Sequence, residues 1–421
     1  MRSNPDTTGN LLSTAQIIRI VRNMLSAIDP RLMHHGEQVA WITRKIVEQG
    51  HLEYRFNMQI LFLLSLLHDM GAYRTEETND ILQFEAVNVR NHALYGYLFL
   101  KYLSPLKKSA EAIRYHHTPY KMLEQSGSAW SEYAALIFFA DRADILLMTG
   151  NPDFSKLAPL VPDTLSAEYY TLFSQINAGC SIENAVASGT YLADIDRWTE
   201  QLDFTPEEAF QLLEMMIFLL DFHSPATVTH TINTAAFAVS LGKRTGCSRT
   251  ELNELFTAGL LHDIGKFGIP VEILEFPGKL DRKQTEIMQT HVVKTEKLIR
   301  GIVQDKIVDI AVRHHEKLDG TGYPRKLTSS DLTLQQRILA VADILSALTG
   351  TRSYKTPFSK EKTLRILESM TASGGLDASV TGAVSGDYDT IMKEIGTGQQ
   401  ELIAISRHIR EEFTELSSDP E

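Results

Sequence analysis

Residues 314–324 read HHEKLDGTGYP, two adjacent histidines followed by an acidic, glycine-rich turn that ends in Gly-Tyr-Pro. Histidine is the commonest metal-binding side chain near neutral pH, and glycine lets the backbone approach a bound group closely. The pair His262-Asp263 precedes this stretch and Asp343 follows it. Together these residues predict a buried metal centre with a loop over it.

A second set of histidines and aspartates, in the same order, lies in the first half of the chain. Three adjacent histidine pairs occur among 14 histidines, where random placement would give roughly half a pair. The matching residues are displaced by 194 to 202 positions, which indicates an internal repeat. The first-half residues are His35, His68, Asp69, His92, His116, His117 and Asp141, and their partners are His230, His262, Asp263, His291, His314, His315 and Asp343.

The last match in the first half has two candidates. Residues 143–146 read ADIL, as do residues 342–345, which favours Asp144 as the partner of Asp343. The apolar run at 136–140 leads into Asp141 as the run at 338–342 leads into Asp343, and for this reason we favour Asp141. Asp144 stays open as the alternative.

Composition limits the function classes. The chain has 421 residues, 43% of them hydrophobic, so two or three domains with sizeable cores are expected. A net charge of −12 argues against binding of polymeric nucleic acid, which requires a basic face. The two cysteines form no disulfide framework and fit a reducing cytosol. Apolar runs fall far below the ~18 residues of a membrane span, so a cytoplasmic protein without membrane contact is expected.

The patterns predict an all-α protein with two tandem domains. Thr205-Pro206-Glu207-Glu208 is a typical helix start, with Thr as the cap and Glu three residues later. A similar leader helix is predicted from Ser13 or Thr14 to just before Asp29-Pro30, and alternating strand patterns are scarce. We predict a first domain at 1–150, a helical connection at 151–204, and a second domain at 205–421 that ends in helices.

The donor atoms define the class of metal. Imidazole nitrogen with carboxylate oxygen, and no thiolate, suits Fe, Mn or Zn. Five histidines and two aspartates per half exceed the needs of one ion and fit two ions with one bridging carboxylate. A lone histidine is more often structural or solvent-exposed, and His34, His51, His223 and His408 are assigned to that class.

The second half resembles the HD-GYP family of metal-dependent HD phosphohydrolases. The resemblance rests on LHDIGKFGIP at 261–270, His291, HHEKLDGTGYP, Asp343 and RSYK at 352–355, and it covers about 205–376. It implies an all-helical enzyme that hydrolyses a cyclic dinucleotide, chiefly cyclic di-GMP, to a linear dinucleotide. The first half resembles the wider HD superfamily more weakly.

Position by position, the resemblance implies a role for each residue of the second half. One metal would be held by His230, His262 and Asp343 and the other by His291, His314 and His315, with Asp263 bridging. Lys266 and Asp263 would be catalytic, and Arg352, Lys355 and Tyr323 would lie at the substrate. Some family members use a glutamate to help bind a third metal, but this chain has Ala226 there. Two ions, Fe or Mn, are therefore expected.

The first half keeps the ligand pattern but loses its surroundings. Ala72 replaces Lys266, Thr118-Pro119-Tyr120 follows the histidine pair in place of DGTGYP, and Arg142 is a candidate substitute for the phosphate-binding residues. We expect a domain that is impaired in catalysis and regulatory or structural, whether or not it binds metal.

Three other functions stay open. Cyclic GMP-AMP is an alternative substrate, because no base-binding residue can be identified from the sequence. A different HD phosphohydrolase, acting on nucleotides, would not need the intact GYP segment. A non-catalytic cyclic-dinucleotide receptor would not need Lys266. A homodimer is compatible with the sequence, which carries no signal that fixes the oligomeric state.

Overall fold

The computed structural model describes residues 12–74, 84, 90–222, 229–276, 278–350 and 357–418, without the side chains of 73, 74, 221 and 397–399. This part of the chain is built from helices and short 3₁₀ turns, with two isolated β-bridges and no strand. The prediction of an all-α fold is therefore confirmed. Among the described helices, none combines the length and apolar character that a membrane crossing requires.

In the described part of the first half there are ten α-helices. They are α1 (Thr14–Ile28), α2 (Pro30–Gly50), α3 (Met58–Leu67), α4 (Arg90–Leu103), α5 (Glu111–Arg114), α6 (Tyr120–Ser126), α7 (Ser131–Leu147), α8 (Ala167–Ile176), α9 (Ser181–Ser188) and α10 (Tyr191–Glu200).

The described residues of the second half form nine more. They are α11 (Pro206–Asp221), α12 (His230–Arg244), α13 (Arg249–Leu261), α14 (Val271–Leu274), α15 (Arg282–Ile299), α16 (Asp305–Ala311), α17 (Leu334–Thr349), α18 (Lys360–Ala372) and α19 (Ala378–Ser418), which is interrupted by non-helical dihedral angles at Asp387.

Both predicted leader helices begin with reciprocal capping. The Thr205 hydroxyl accepts a hydrogen bond from the Glu208 amide (3.3 Å), and the Glu208 carboxylate accepts one from the Thr205 amide (2.9 Å). Ser13 and Gln16 make the same exchange at the start of α1. These bonds satisfy amides that the first helical turn leaves without partners, so the predicted starts of α1 and α11 are confirmed.

The repeat is visible as the same packing in both halves. Helix α2 packs against α3 and α7, and α12 packs against α13 and α17. The turn after α3 contacts α4, as the turn after α13 contacts α15. In both halves, the helix with the first predicted histidine therefore packs against the helix that precedes the His-Asp pair and against the helix with the last predicted aspartate.

The chain divides into two compact units, and each unit includes a terminal segment from the opposite end of the sequence. The first unit holds Ile28–Met215 and the chain from Ile409 onward, and the second unit holds Met216–His408 and the chain up to Ala27. The predicted boundaries at 150 and 204 stay predictions, but the units differ from them, because α1 is grouped with the second repeat and the end of α19 with the first.

Helix α1 is fixed within the second unit by long-range contacts. The Gln16 side-chain amide donates to the Ile302 carbonyl (2.5 Å), and that of Asn23 donates to the Leu298 carbonyl (2.7 Å). One face of the helix is buried, with Ile17, Ile20, Val21 and Met24 among its residues. The amphipathic pattern of a helix predicts which face is buried but not which repeat covers it, so the sequence could not assign α1.

Candidate metal centres

The seven predicted ligands of the second half lie together in the second unit, and we call them the second cluster. His230 begins α12, His262 follows the last residue of α13, and Asp263 is the next residue. His291 lies in α15 and Asp343 in α17. His314 and His315 lie in the turn that follows α16. Residues far apart in sequence therefore converge on one buried point.

The cluster separates into two groups of donor atoms. His230, His262 and Asp343 offer three donors within 4.8 Å of one another, and His291, His314 and His315 offer three more. Between the groups lies the Asp263 carboxylate. Its Oδ2 is 3.2 Å from His262 Nε2, and its Oδ1 is 3.3 Å from His291 Nε2. Each oxygen of one carboxylate therefore faces a different group, as a bridging ligand requires.

Backbone contacts fix the tautomer of three histidines of the second cluster. The Nδ1 atoms of His262, His291 and His314 donate to the carbonyls of the residues three positions earlier, at 2.7, 2.7 and 2.6 Å. Because a carbonyl only accepts, Nδ1 carries the proton and Nε2 keeps its lone pair. This outer contact is the usual support of a metal-binding histidine.

The residues fit a pair of metal ions. His262 Nε2 and Asp263 Oδ1 are buried without a hydrogen-bond partner, which is rare for polar atoms and is relieved by a bound cation. The donors are imidazole nitrogens and carboxylate oxygens, the set preferred by Fe, Mn and Zn.

The charges of the cluster also favour cations. Burial tends to raise the pKa of Asp263, but His262 and Lys266 hold it well below its usual range. Burial tends to lower the pKa of His262, but the Asp263 and Asp343 carboxylates raise it to about 10. Burial lowers the pKa of His315 to about 4. The Asp263 carboxylate therefore keeps its negative charge inside the cluster, which favours a bound cation.

Lys266 is the cation at the bridge. Its Nζ lies 2.5 Å from Asp263 Oδ2, and its side chain is 25% exposed. Lys266 lies in the turn at Ile264–Gly268, which Thr295 attaches to α15. The Thr295 hydroxyl accepts a hydrogen bond from the Gly265 amide (2.9 Å) and donates one to the His262 carbonyl (3.0 Å). Sequence reasoning missed Thr295, and no signal in the motif indicates it.

Gly265 is required by this close approach. A Cβ there would overlap the His291 carbonyl oxygen and lie 2.5 Å from the Thr295 amide nitrogen. Gly71 has the same relation to the His92 carbonyl in the first unit. The glycine of each HD motif therefore lets the motif turn contact the helix of the third histidine.

The turn at Gly322-Tyr323-Pro324, which we call the GYP turn, lies on His315. The Tyr323 ring stacks on the His315 imidazole with centroids 4.6 Å apart, and the Tyr323 amide donates to the His315 carbonyl at 3.1 Å. The buried carboxylate of Glu316 accepts from the amides of Arg325 (2.6 Å) and Leu327 (2.9 Å). Glu316 was missed by sequence reasoning, although its place directly after the histidine pair is a signal.

Three predicted positions cannot be compared with the structure. Arg352, Lys355 and Ala226 lie outside the described residues. Their predicted roles stay predictions.

The first-half ligands form the same arrangement in the first unit, and we call them the first cluster. His35, His68 and Asp141 form one donor group, and Asp69, His92, His116 and His117 form the other. Asp69 Oδ2 is 3.4 Å from His68 Nε2, and Asp69 Oδ1 is 3.2 Å from His92 Nε2. The Nδ1 atoms of His68 and His116 donate to the carbonyls of Ser65 and Ile113.

The two candidates for the last ligand occupy different places around His35. Asp141 Oδ1 lies inside the cluster, 3.2 Å from His35 Nε2, whereas Asp144 Oδ2 lies behind the ring, 2.7 Å from Nδ1. In the second cluster the place of Asp144 is taken by the Ser346 hydroxyl, 3.1 Å from His230 Nδ1. The geometry therefore favours Asp141 as the counterpart of Asp343.

The first cluster has its cation at a different carboxylate. Ala72 stands where the second cluster has Lys266, while the guanidinium of Arg142 contacts Asp141 Oδ2 through Nε (3.1 Å) and Nη2 (2.8 Å). Arg142 Nη1 also donates to the Phe84 carbonyl. Arg142 is thus held by a carboxylate of the cluster and by the backbone, and its interpretation as a phosphate-binding residue stays a prediction.

Comparison with known proteins agrees with the repeat. The HD domain family is matched twice, over residues 32–146 and 214–380. The 3′3′-cGAMP-specific phosphodiesterase 1 of Vibrio cholerae is 27% identical over 373 residues, which are 83% of this chain and 85% of that protein.

Other relatives match a smaller share of the chain. The 3′3′-cGAMP-specific phosphodiesterase 3 of Vibrio cholerae is 37% identical over 36% of this chain and 33% of its own length. A cyclic di-GMP phosphodiesterase of Thermotoga maritima is 34% identical over 41% of this chain and 47% of its own length.

A solved structure shares the fold. The crystal structure of the cyclic GMP-AMP-specific phosphodiesterase V-cGAP3 of V. cholerae matches 89% of this chain and 96% of that one, with a TM-score of 0.55 and 17% identity. With two matched domains, two equivalent clusters and relatives that are phosphodiesterases, the chain belongs to the HD phosphohydrolase superfamily and is an HD-GYP hydrolase with a second, diverged HD domain in its first half.

Proposed function

We propose that the second unit hydrolyses a cyclic dinucleotide to a linear dinucleotide at the second cluster. The observation that carries this proposal is the Asp263 carboxylate, which faces a different donor group with each oxygen and holds Lys266 on one of them. Divalent metals held by these residues would activate water and stabilise the attacking and leaving oxygens of an in-line displacement at phosphorus. We expect Fe or Mn in these positions.

The protein residues would orient the substrate around this point. The Lys266 side chain contacts the Asp263 carboxylate and is also partly exposed to solvent. Its ammonium can therefore hold a non-bridging phosphate oxygen beside the reacting phosphorus. We propose Arg352 and Lys355 as the contacts for the second phosphate, because a dianionic ligand needs local cations on a chain of net charge −12. The Tyr323 ring orients His315 and would border the substrate on that side.

Two substrates are proposed. Cyclic di-GMP is supported by the resemblance to the HD-GYP family and by relatives such as the Thermotoga enzyme. The 3′3′ form of cyclic GMP-AMP is supported by the relative that matches most of the chain, which is named for that substrate.

A matched pair of variants tests the proposal. His262→Ala is expected to lower hydrolysis at least about 100-fold, since even outer contacts of a ligand are worth 10- to 100-fold. His68→Ala, the equivalent change in the first cluster, is expected to leave most of the activity. Chromatography of linear and cyclic products would follow cyclic di-GMP, 3′3′-cGAMP and a nucleoside triphosphate in parallel, with Mn²⁺ or Fe²⁺ added.

Each alternative function has its own outcome in this experiment. Turnover of the triphosphate alone would indicate a different HD phosphohydrolase. Binding of a cyclic dinucleotide without turnover in either metal would indicate a receptor. Loss of activity in His68→Ala and retention in His262→Ala would move the chemistry to the first unit and overturn the proposal.

A further inference from the structure

The turn that carries Lys266 is held at both ends by neighbouring residues of α15. At its start, the Thr295 hydroxyl accepts a hydrogen bond from the Gly265 amide (2.9 Å). At its end, the Lys294 ammonium donates to the carbonyl of Gly268, the last residue of the turn, at 2.5 Å. Lys266 lies between these two contacts, and both of them come from α15.

The Lys294 ammonium is directed at a backbone carbonyl and not at a carboxylate. Among the described residues, no carboxylate lies within ion-pair distance of it, and its hydrogen bond is the one to Gly268. Lys294 follows His291 by three positions on α15, so the two side chains lie on the same side of the helix. One face of α15 therefore presents a predicted ligand of the second cluster and also holds the end of the turn.

The end of helix α1 lies beside the same contact. A Cβ at Gly268 would be 3.1 Å from Lys294 Nζ and 3.5 Å from the Ala27 carbonyl oxygen, so both groups border the same small space. The last carbonyls of a helix lack donors within the helix and carry the negative end of its dipole. Helix α1 has no basic residue in its own last turn. Lys294 supplies a positive charge at this end from α15.

We propose that Lys294 is a positioning residue for Lys266, and that helix α1 holds Lys294 in this role. Hydrogen bonds from Gln16 and Asn23 attach α1 to the end of α15 and the residues after it. With the end of the turn attached to α15, Lys266 Nζ stays 2.5 Å from the Asp263 carboxylate. This role rests on the proposed hydrolysis at the second cluster, because Lys266 is the cation that would meet the phosphate there.

Hydrolysis by Lys294→Met tests this role, because the change removes the ammonium and keeps an unbranched side chain. Misplacement of a reacting group by about 1 Å can cost about 100-fold in rate, so we expect kcat to fall roughly 10- to 100-fold with little change in KM and in metal content. Lys294→Arg keeps a cation and should recover most of the loss. Lys297→Met is the matched control on the same helix, where Lys297 is exposed, and should retain the wild-type kcat. The substrates are cyclic di-GMP, 3′3′-cGAMP and bis-p-nitrophenyl phosphate, a simple phosphodiester.

A double variant distinguishes positioning from a direct role. If Lys294 acts through Lys266, the variant Lys266→Met/Lys294→Met should be no slower than Lys266→Met alone. Gly268→Ala places a methyl group 3.1 Å from Lys294 Nζ and should reproduce the effect of Lys294→Met. Independent losses that multiply in the double variant, or a wild-type kcat in Lys294→Met, would overturn the proposal.

Hydrogen exchange of the turn gives a measurement that needs no turnover. The amides of Lys266 and Ile269 donate to the carbonyls of Asp263 and Lys266, both at 2.9 Å. In Lys294→Met these amides should exchange about 10-fold faster, as expected for the loss of a charge-assisted hydrogen bond that holds the turn. Unchanged exchange would show that Lys294 does not hold the turn.

Gln16→Ala/Asn23→Ala tests the part played by α1. This variant weakens the attachment of α1 and should speed exchange of the same amides and lower kcat, and wild-type values of both would overturn the role of α1. Tryptophan fluorescence monitors the first unit as a control, because Trp41, Trp130 and Trp198 all lie in it, and its unfolding transition should not move. If the wild type turns over none of the substrates, the proposed function fails, while the exchange rates still decide whether α15 and α1 hold the turn.

Discussion

The carboxylate of Glu316 is expected to hold the GYP turn on His315. It is 3% exposed and accepts two backbone hydrogen bonds, from Arg325 and Leu327. In Glu316→Gln, one oxygen keeps its bond, but an amide NH₂ then faces a backbone N–H. The lost charge-assisted bond is worth about 1.5–3 kcal/mol, and the remaining one weakens to that of a neutral pair. We therefore expect a loss of about 2–4 kcal/mol.

Thermal unfolding gives a clear measurement of this loss. In a unit of this size, 1 kcal/mol shifts the melting temperature by roughly 2–4 °C, so a decrease of about 4–16 °C is expected. Circular dichroism follows both units, whereas tryptophan fluorescence follows the first unit only. The fluorescence transition should stay in place while the other moves, and hydrolysis should decline because the ring of Tyr323 no longer orients His315.

Glu296→Gln is the matched control. The Glu296 carboxylate also contacts Arg325, but through the guanidinium (2.9 Å) and nearer the surface. Glu296 also forms an ion pair with Arg300 (2.8 Å). An exposed ion pair is typically worth about 0–1 kcal/mol, so the loss of both pairs should lower the melting temperature by no more than about 8 °C. If the two variants melt at the same temperature, buried support of the turn by Glu316 is refuted.

Two further variants test contacts within the second unit, one at the second cluster and one at helix α1. Thr295→Val removes both bonds that lock the Gly265 turn to α15 and should cost about 1–3 kcal/mol, with weaker metal binding at His262; Thr295→Ser keeps the hydroxyl and should restore both, as calorimetry and metal titration can show. Asn23→Ala removes the bond to the Leu298 carbonyl and should cost about 0.5–1.5 kcal/mol, detected by circular dichroism and absent from the tryptophan signal. A shift of the tryptophan signal alone would instead assign α1 to the first unit.

Local signals in the sequence predicted much of this structure. Capping pairs such as Thr205 with Glu208 act over three residues and fix a helix start wherever the helix packs. Histidine and aspartate in a repeated order predicted two clusters, because buried ligands constrain residue identity directly. The preference for Asp141 over Asp144 came from the apolar run that precedes Asp141. In the structure both residues lie on one helix, and their carboxylates contact different sides of the His35 ring.

Other features depend on contacts that a single sequence does not encode locally. Helix α1 is amphipathic, but the pattern does not say that it makes a hydrogen bond to α15 of the other repeat. Thr295 lies on α15 as an ordinary helical residue, and only the close approach of Gly265 gives it a role. Glu316 is one of many acidic residues until the turn folds its amides around it.

Among the described residues, the two clusters differ in the cation that contacts a carboxylate, and in the exposure of the first histidine and the last aspartate. Both bring five histidines and two aspartates to the same geometry, so the ligands alone do not distinguish a catalytic centre from a structural one. In the second cluster the cation, Lys266, contacts the bridging carboxylate and reaches solvent, where an anionic substrate can meet it. In the first, Arg142 is buried against Asp141, and a further carboxylate, Asp144, lies behind His35. A substrate phosphate would there meet added negative charge and a neutralised guanidinium. The single change Ala72→Lys is therefore not expected to create hydrolysis in the first unit, because Arg142 and Asp144 would stay in place.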